Sequence, residues 1–396
     1  MTLDPDAPLF RDLVRLHGPL TDPARLFLAP EQPTEAVRLI SDGGRNGRWS
    51  WLMLPDGPVQ SLGLDDGAQV RETLSSLLKS KIFPSSPDGP PFQGGLVGLL
   101  AYSYGSVREP STLRPDEEPW PVLMAARINA LLAFDHDTLT LWAVGCGDSL
   151  EAALKARQSA EACATLALRD DDHSRASLPP PLAHAFVPDT PDATYQAGVA
   201  RLVAHIAAGE VFQANLTRGW TGTLPAGTDL LGLARHLLTA SPAPYSAVWS
   251  VGDHTLICNS PERFLSVSPT GVVSTCPIKG TRPRHPDPAQ DAAHAAALPL
   301  DPKERAENLM IVDLMRNDLG RVCAPGSVRV TRLFEVETFA NVHHLVSEVQ
   351  GQLVDNKTAR DLLLDSFPPG SITGAPKVRA MQLLNDLEPP RGPYCG

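Results

Sequence analysis

No stretch of this 396-residue chain approaches the roughly 20 consecutive apolar residues that cross a bilayer, so a membrane helix is not expected. The start, Met1-Thr2-Leu3-Asp4-Pro5-Asp6, is acidic and proline-broken, unlike a secretory signal. Cysteine is sparse and scattered. Cys146, Cys163, Cys258, Cys276, Cys323 and Cys395 contain no C-x-x-C pair, which argues against a disulfide framework and against a zinc site. A reducing cytoplasm is the expected compartment. Lysine is rarer still: only seven of the 34 basic residues, at 79, 81, 155, 279, 303, 357 and 377. Each is the more informative for it, because lysine, unlike arginine, can lose its proton and act as a nucleophile.

Positive charge is in deficit overall. The net charge of -11 argues against a nucleic-acid partner, because the long-range field repels phosphate. The same field repels a small dicarboxylate, which would need local cationic groups or a bound cation to offset it. What is present is ordinary globular material: 42% apolar and 20% charged residues support a sizeable core in one large domain or two of usual size.

Residues 1 to about 168 alternate strand-like runs with turns. Trp49 to Leu54 runs before Pro55-Asp56-Gly57, and Leu139 to Val144 follows Asp135-His136-Asp137. Gly94-Gly95-Leu96-Val97-Gly98 is glycine-rich but lacks the strand-to-helix setting of a nucleotide loop, so close backbone packing is its expected role. Ser149 to Leu168 reads as an alanine-rich helix. The polar and proline-rich stretch 169–190 reads as a linker to a second region, 191–396. There, Asp192 to Ala208 looks helical, with Val199, Leu202, Val203 and Ile206 on one stripe. The mixed order of strands and helices beyond it predicts an α+β fold.

Chemistry concentrates in four segments. Glu262 follows an apolar run in Ser260-Pro261-Glu262-Arg263-Phe264, and its residue type alone also fits an exposed loop charge. Lys279, in Pro277-Ile278-Lys279-Gly280-Thr281, is either a surface lysine before a turn or a desolvated amine made nucleophilic by burial. Glu304 and Glu307 lie three apart after Pro302, a helix-start residue. One face then carries two hard oxygen donors that suit Mg²⁺, or merely an acidic first turn. Finally, Gly370-Ser371-Ile372-Thr373-Gly374 precedes a helix, where backbone N–H groups can meet an anion or simply form a capped loop. Between them, His344 is open to acid, base or core roles.

In this order the segments SPERF, PIKGTRPR, KERAENLMIVDLMRNDLGR, HLVSEV and FPPGSITGAPKVRAMQLL resemble the chorismate-binding family from about Tyr195 to the end, with a weaker likeness at Pro91–Ser106. That family includes anthranilate synthase component I, aminodeoxychorismate synthase component I, and isochorismate and salicylate synthases. The resemblance implies two packed antiparallel β-sheets flanked by helices. Lys279 points to the branch that aminates chorismate at C4, because anthranilate synthases carry alanine there. Pro369 in place of the loop's first glycine is a mild departure.

The resemblance also implies site roles. Lys279 would attack the ring, Glu262 would protonate the departing hydroxyl, and His344 would lie near the reacting edge. Gly280, Thr281, Ser371, Thr373, Gly374 and Tyr394 would bind substrate, Tyr394 at the pyruvyl carboxylate. Glu307 and Glu304 would hold Mg²⁺. Ammonia would come from a separate glutamine amidotransferase subunit, since no cysteine–histidine amidotransferase motif is visible. Relatives continue for several tens of residues past the position of Gly396, so a truncated or split chain is expected, with activity in isolation open to question. The rival readings are anthranilate synthase component I and an inactive remnant that only docks the amidotransferase. No LLES-like motif is present, so feedback inhibition by tryptophan is not predicted.

Overall fold

The computed structural model describes residues 10–16, 22–64, 67–77, 89–112, 120–168 and 185–396. The first half contributes β1 (Phe10–Leu16), β2 (Val37–Ile40), β3 (Trp49–Pro55), β4 (Gln60–Leu62), β5 (Gly95–Leu100), β6 (Leu123–Asp135) and β7 (Thr140–Gly147). Its helices are α1 (Pro23–Phe27), α2 (Gly67–Leu77), α3 (Tyr104–Arg108) and α4 (Leu150–Leu168). The second half opens with the short β8 (Val187–Pro188), β9 (Gln213–Ala214) and β10 (Trp220–Thr221). Then come β11 (Tyr245–Val251), β12 (His254–Ser260), β13 (Ser266–Val267), β14 (Val272–Thr275) and β15 (Ile278–Pro283). The strands end with β16 (Arg329–Thr338), β17 (Val342–Gln352) and β18 (Gly374–Ala375). Helices α5 (Asp192–Ala207), α6 (Leu230–Ala240), α7 (Pro288–Ala297), α8 (Pro302–Gly320), α9 (Ala359–Ser366) and α10 (Lys377–Asn385) complete it. No helix among the described residues is long and apolar enough to cross a membrane.

The fold is α+β, as expected, built on a nine-stranded and a five-stranded antiparallel sheet. β6 is the spine of the larger sheet: it pairs with β3, β4, β5 and β7 and is buried along nearly its whole length. Its run LMAARINALLAFD is therefore close to continuously apolar rather than alternating. Helix α4 lies against β7 so closely that a Cβ on Gly145 would come 2.0 Å from the Ala153 carbonyl oxygen. Phe27, Leu52, Leu132, Phe134, Leu141, Ala160 and Val248 form the core beneath it. The last of these comes from β11, which pairs with β2, so β11 and β12 from the second region extend the sheet of the first. The linker expected at 169–190 lies mostly outside the described residues; its last residues include β8, paired with β10. The glycine-rich run leads into strand β5, and Gly94 packs where a Cβ would meet Cys146 Sγ at 2.3 Å.

The smaller sheet is centred on β17, flanked by β16 on one side and by β14 and β15 on the other. Helix α8 covers it. Asp301 caps that helix by accepting from the Lys303 and Glu304 N–H groups, and Pro302 occupies the first turn, where its missing N–H costs nothing. Buried Asn308 then joins helix to sheet: its Nδ2 donates to the Leu345 carbonyl at 3.1 Å, and its Oδ1 accepts from the Ser347 hydroxyl at 2.6 Å. Helix α5 forms where the apolar period places it, at Asp192–Ala207. Its apolar stripe is largely exposed, with Val203 at 57% and Ile206 at 40%, and only Gly198 and Leu202 are buried. The 3.6-residue period identifies a helix but not whether its apolar face meets the core.

Candidate active site

Lys279 is aimed by a defect in its strand. The β15–β17 register shifts between Ile278 and Thr281, and Gly280 sits in that bulge at φ +99°. A Cβ on Gly280 would also lie 3.1 Å from Leu345 Cβ and 3.3 Å from Glu304 Cβ, so tight packing adds to the positive φ in favouring glycine. The bulge turns Lys279 toward the loop before α10, where its Nζ donates to the Ser371 carbonyl at 2.7 Å. Asn215 Nδ2 donates to the same oxygen at 3.1 Å. Burial is the dominant influence on Lys279 and lowers its pKa, against the opposing pull of Glu262, Glu307 and Cys395.

Glu262 faces the same place from the turn after β12. Withdrawal from water pushes its carboxyl up to about 7, only partly countered by the Ser371 hydroxyl, Lys279 and the Ile278 backbone. The exposed loop charge that the residue type alone permitted is thus not what the fold makes. The Ser371 hydroxyl lies beside this carboxyl in a residue only 4% exposed, yet makes no hydrogen bond of good geometry.

These groups line one cleft of about 620 Å³, together with Tyr195, Thr217, Arg218, Trp220, Tyr394 and Cys395. Tyr394 stands at the rim, 65% exposed. Asn215, Thr217 and Arg218 were not singled out from the sequence. Their only signal was an alternation of polar and apolar residues, Gln213-Ala214-Asn215-Leu216-Thr217-Arg218, a few residues after a helix, which equally suits an ordinary strand. Arg218 is held by the Thr190 carbonyl and by Asp192, over the Trp220 ring.

His344 lies across the strand pair from Thr281, whose Oγ1 is 2.9 Å from its Nδ1. Burial lowers its pKa and so favours the neutral imidazole, with the Phe339 ring edge-on at 5.4 Å. Neither residue lines the cleft as it stands. Thr373 and Gly374 also serve the scaffold here. The Thr373 hydroxyl donates to the Pro369 carbonyl and its N–H to the Gly370 carbonyl, so that donor is unavailable to an anion. Gly374, paired with Ala214, approaches so closely that a Cβ would lie 2.4 Å from the Gln213 carbonyl oxygen.

Glu304 and Glu307 share one face of the first turns of α8. Arg282 donates to Glu304 Oε1 at 3.0 Å, while Glu304 Oε2 lies against Gly280. Glu307 is partly exposed, with Lys303 Nζ at 3.7 Å. Among the described residues no cluster of three or more His, Cys, Asp or Glu side chains is arranged to hold a metal. Two carboxylates reachable by water nevertheless fit the donor set of Mg²⁺, which takes one or two carboxylates and fills its shell with water and substrate oxygen.

The sequence profile described as chorismate binding enzyme matches residues 37–396. Anthranilate synthase component 1 of Streptomyces coelicolor is 36% identical over 97% of this chain and 78% of its own length. Aminodeoxychorismate synthase component 1 of Klebsiella aerogenes is 40% identical over 77% of this chain and 65% of its own. The crystal structure of anthranilate synthase component I from Streptococcus pneumoniae superposes with a TM-score of 0.73 at 29% identity, covering 88% of this chain and 79% of that one. With its fold, its motifs and its profile in agreement, this chain belongs to the chorismate-binding enzyme family.

Proposed function

We propose that the chain aminates chorismate at C4, giving 4-amino-4-deoxychorismate, with Lys279 as the nucleophile. The observation that carries this reading is the pairing in one cleft of a lysine whose ammonium is disfavoured by burial with a glutamate whose acid form persists to about pH 7. The neutral Lys279 amine adds to C2 of the ring and the double bonds shift. The 4-hydroxyl departs as water with a proton from Glu262. Ammonia then attacks C4, the double bonds shift back and the Lys279 amine is expelled. The proton shed by the new amine returns to the Glu262 carboxylate.

His344, neutral and fixed by Thr281, would border the reacting edge once substrate is seated, and Tyr394 would meet the pyruvyl carboxylate at the rim. Glu307 and Glu304 would hold Mg²⁺, which when bound offsets the negative charge of the ring carboxylate. Ammonia would be supplied by a glutamine amidotransferase subunit.

The competing reading, anthranilate formation, draws support from the Streptomyces coelicolor relative, which spans nearly the whole chain. Product chromatography separates the two. Purified chain incubated with chorismate, Mg²⁺ and ammonium should give aminodeoxychorismate in the wild type and none in Lys279→Ala. Anthranilate from both proteins would overturn the proposal.

A further inference from the structure

A buried ion pair behind the cleft ends on the backbone of both its walls. Arg391 and Glu388 have side chains only 1% and 5% exposed, with Arg391 Nε donating to Glu388 Oε1 at 2.6 Å and Nη2 to Oε2 at 3.2 Å. The rest of the guanidinium fork is spent on main chain: Nη1 donates to the Ile372 carbonyl at 2.8 Å and Nη2 to the Asn215 carbonyl at 2.7 Å. Glu388 Oε2 accepts from the Thr217 N–H at 2.8 Å and from its hydroxyl at 2.9 Å. The Tyr102 ring, from the turn after β5, covers the guanidinium at 4.2 Å.

Two separate stretches of chain, 215–217 and 370–373, are thereby pinned to one planar group. They meet at the Ser371 carbonyl. Ile372 follows Ser371 directly, and Asn215 reaches the Ser371 oxygen with its own side chain beside Lys279. The titratable groups around this arrangement are Glu388, Tyr102 and Cys395 at Arg391, and Glu262, Glu307 and Cys395 at Lys279.

We propose that Arg391 and Glu388 are positioning residues, a clamp that sets the two cleft walls so that the Ser371 carbonyl holds Lys279 in line for reaction. Neither touches the cleft's reacting groups; both act through the backbone they grip. A buried pair kept only for stability is commonly replaceable by apolar residues. This one is not, because its donors and acceptors end on the two segments whose separation fixes the lysine. The role in catalysis rests on the Lys279 reading above; the clamping itself does not.

The test uses the full chain and the variants Arg391→Met, Arg391→Lys and Glu388→Gln, each first shown to melt cooperatively. Amide hydrogen exchange is read by mass spectrometry in peptides covering 213–217 and 370–375, with β17 as the internal control. Aminodeoxychorismate formation is measured in parallel. The expected result is exchange at least tenfold faster in both segments with β17 unchanged, and a kcat lower by about tenfold to a hundredfold with KM for chorismate within threefold. Arg391→Lys should not rescue, because one ammonium cannot reach two carbonyls and both carboxylate oxygens.

Unaltered exchange in a folded variant overturns the clamp, and faster exchange with an unchanged kcat overturns its role in positioning. Full recovery by Arg391→Lys also overturns the clamp, by showing that charge alone suffices. If Arg391→Met does not fold, Glu388→Gln is read in the same way. A wild type that forms no aminodeoxychorismate counts against the proposed reaction, and the exchange data still decide the clamp.

Discussion

Lys279 and Ser371 are 92 residues apart in the chain, yet the lysine Nζ sits 2.7 Å from the serine carbonyl oxygen. The contact joins a bulged strand to the loop before α10 and fixes the amine beside Glu262. It holds the lysine by a neutral acceptor rather than by a carboxylate, so desolvation, only partly opposed by the nearby Glu262 and Glu307, still favours the neutral amine.

Replacement of Lys279 by alanine should lower turnover by at least a thousandfold, and arginine should fare no better, because a guanidinium stays charged and cannot attack carbon. Steady-state rates with chorismate and ammonium check this. A Lys279→Arg variant with more than a tenth of wild-type kcat would remove the nucleophile from the mechanism.

The pH dependence follows from opposite requirements. Lys279 must be neutral, so the rate climbs on the acid side as its ammonium deprotonates below the usual lysine range. Glu262 must be protonated, and its ionisation above about 7 opposes that climb, so the rate levels off and then falls on the alkaline side. The limbs of the bell belong to the coupled pair. Glu262→Gln should cost about 10²–10⁴ in kcat and abolish the alkaline limb.

The same glutamate sets a stability cost. Its folded pKa lies above its unfolded one, so the folded state binds this proton more tightly. The associated stability is present below about pH 4.5 and is lost as pH rises through about 7. At pH 8 the ionised side chain costs roughly 3 kcal/mol, from 1.36 kcal/mol per pKa unit. Glu262→Gln should therefore melt higher than wild type at pH 8 but not at pH 5. Calorimetry at the two pH values decides it, and equal shifts at both would refute the burial argument.

Lys377 and Asp318 form a second buried pair, with Nζ 2.8 Å from Oδ2 and side chains 14% and 1% exposed, tying the first residue of α10 to α8. Removing one partner leaves an uncompensated charge, so Asp318→Asn or Lys377→Met should each cost about 3–5 kcal/mol. The double variant should recover a large part of that loss. Denaturant titration of the three proteins gives the coupling, and simple additivity would show that the pair is not a unit.

Chelation by EDTA should abolish turnover, and Mg²⁺ should restore it. Glu307→Gln should raise the Mg²⁺ concentration for half-maximal rate by more than tenfold. Glu304→Gln should act more weakly, because one Glu304 oxygen is already engaged by Arg282. Equal turnover with and without EDTA would exclude the metal from the reaction.

Local chemistry settles what the sequence alone could announce. Pro302 starts α8, the alanine-rich run makes α4, and the run Trp49 to Leu54 before Pro55-Asp56-Gly57 makes β3. Each follows from propensity, capping or burial over neighbouring residues. Lys279, Glu262, Ser371 and the acidic pair on α8 were singled out by the ordered motifs that contain them, Lys279 also by the scarcity of lysine.

Their states were not legible. Whether Glu262 is a surface charge or an acid with a pKa near 7 depends on how much water residues 100 positions away exclude. Desolvation is a property of the assembled cleft, not of any segment. For the same reason Asn215 and the Arg391–Glu388 pair escaped notice: their significance lies in which distant backbone oxygens they reach. The exposed stripe of α5 shows the limit from the other side, since period alone identifies a helix while only tertiary packing decides which of its faces is covered.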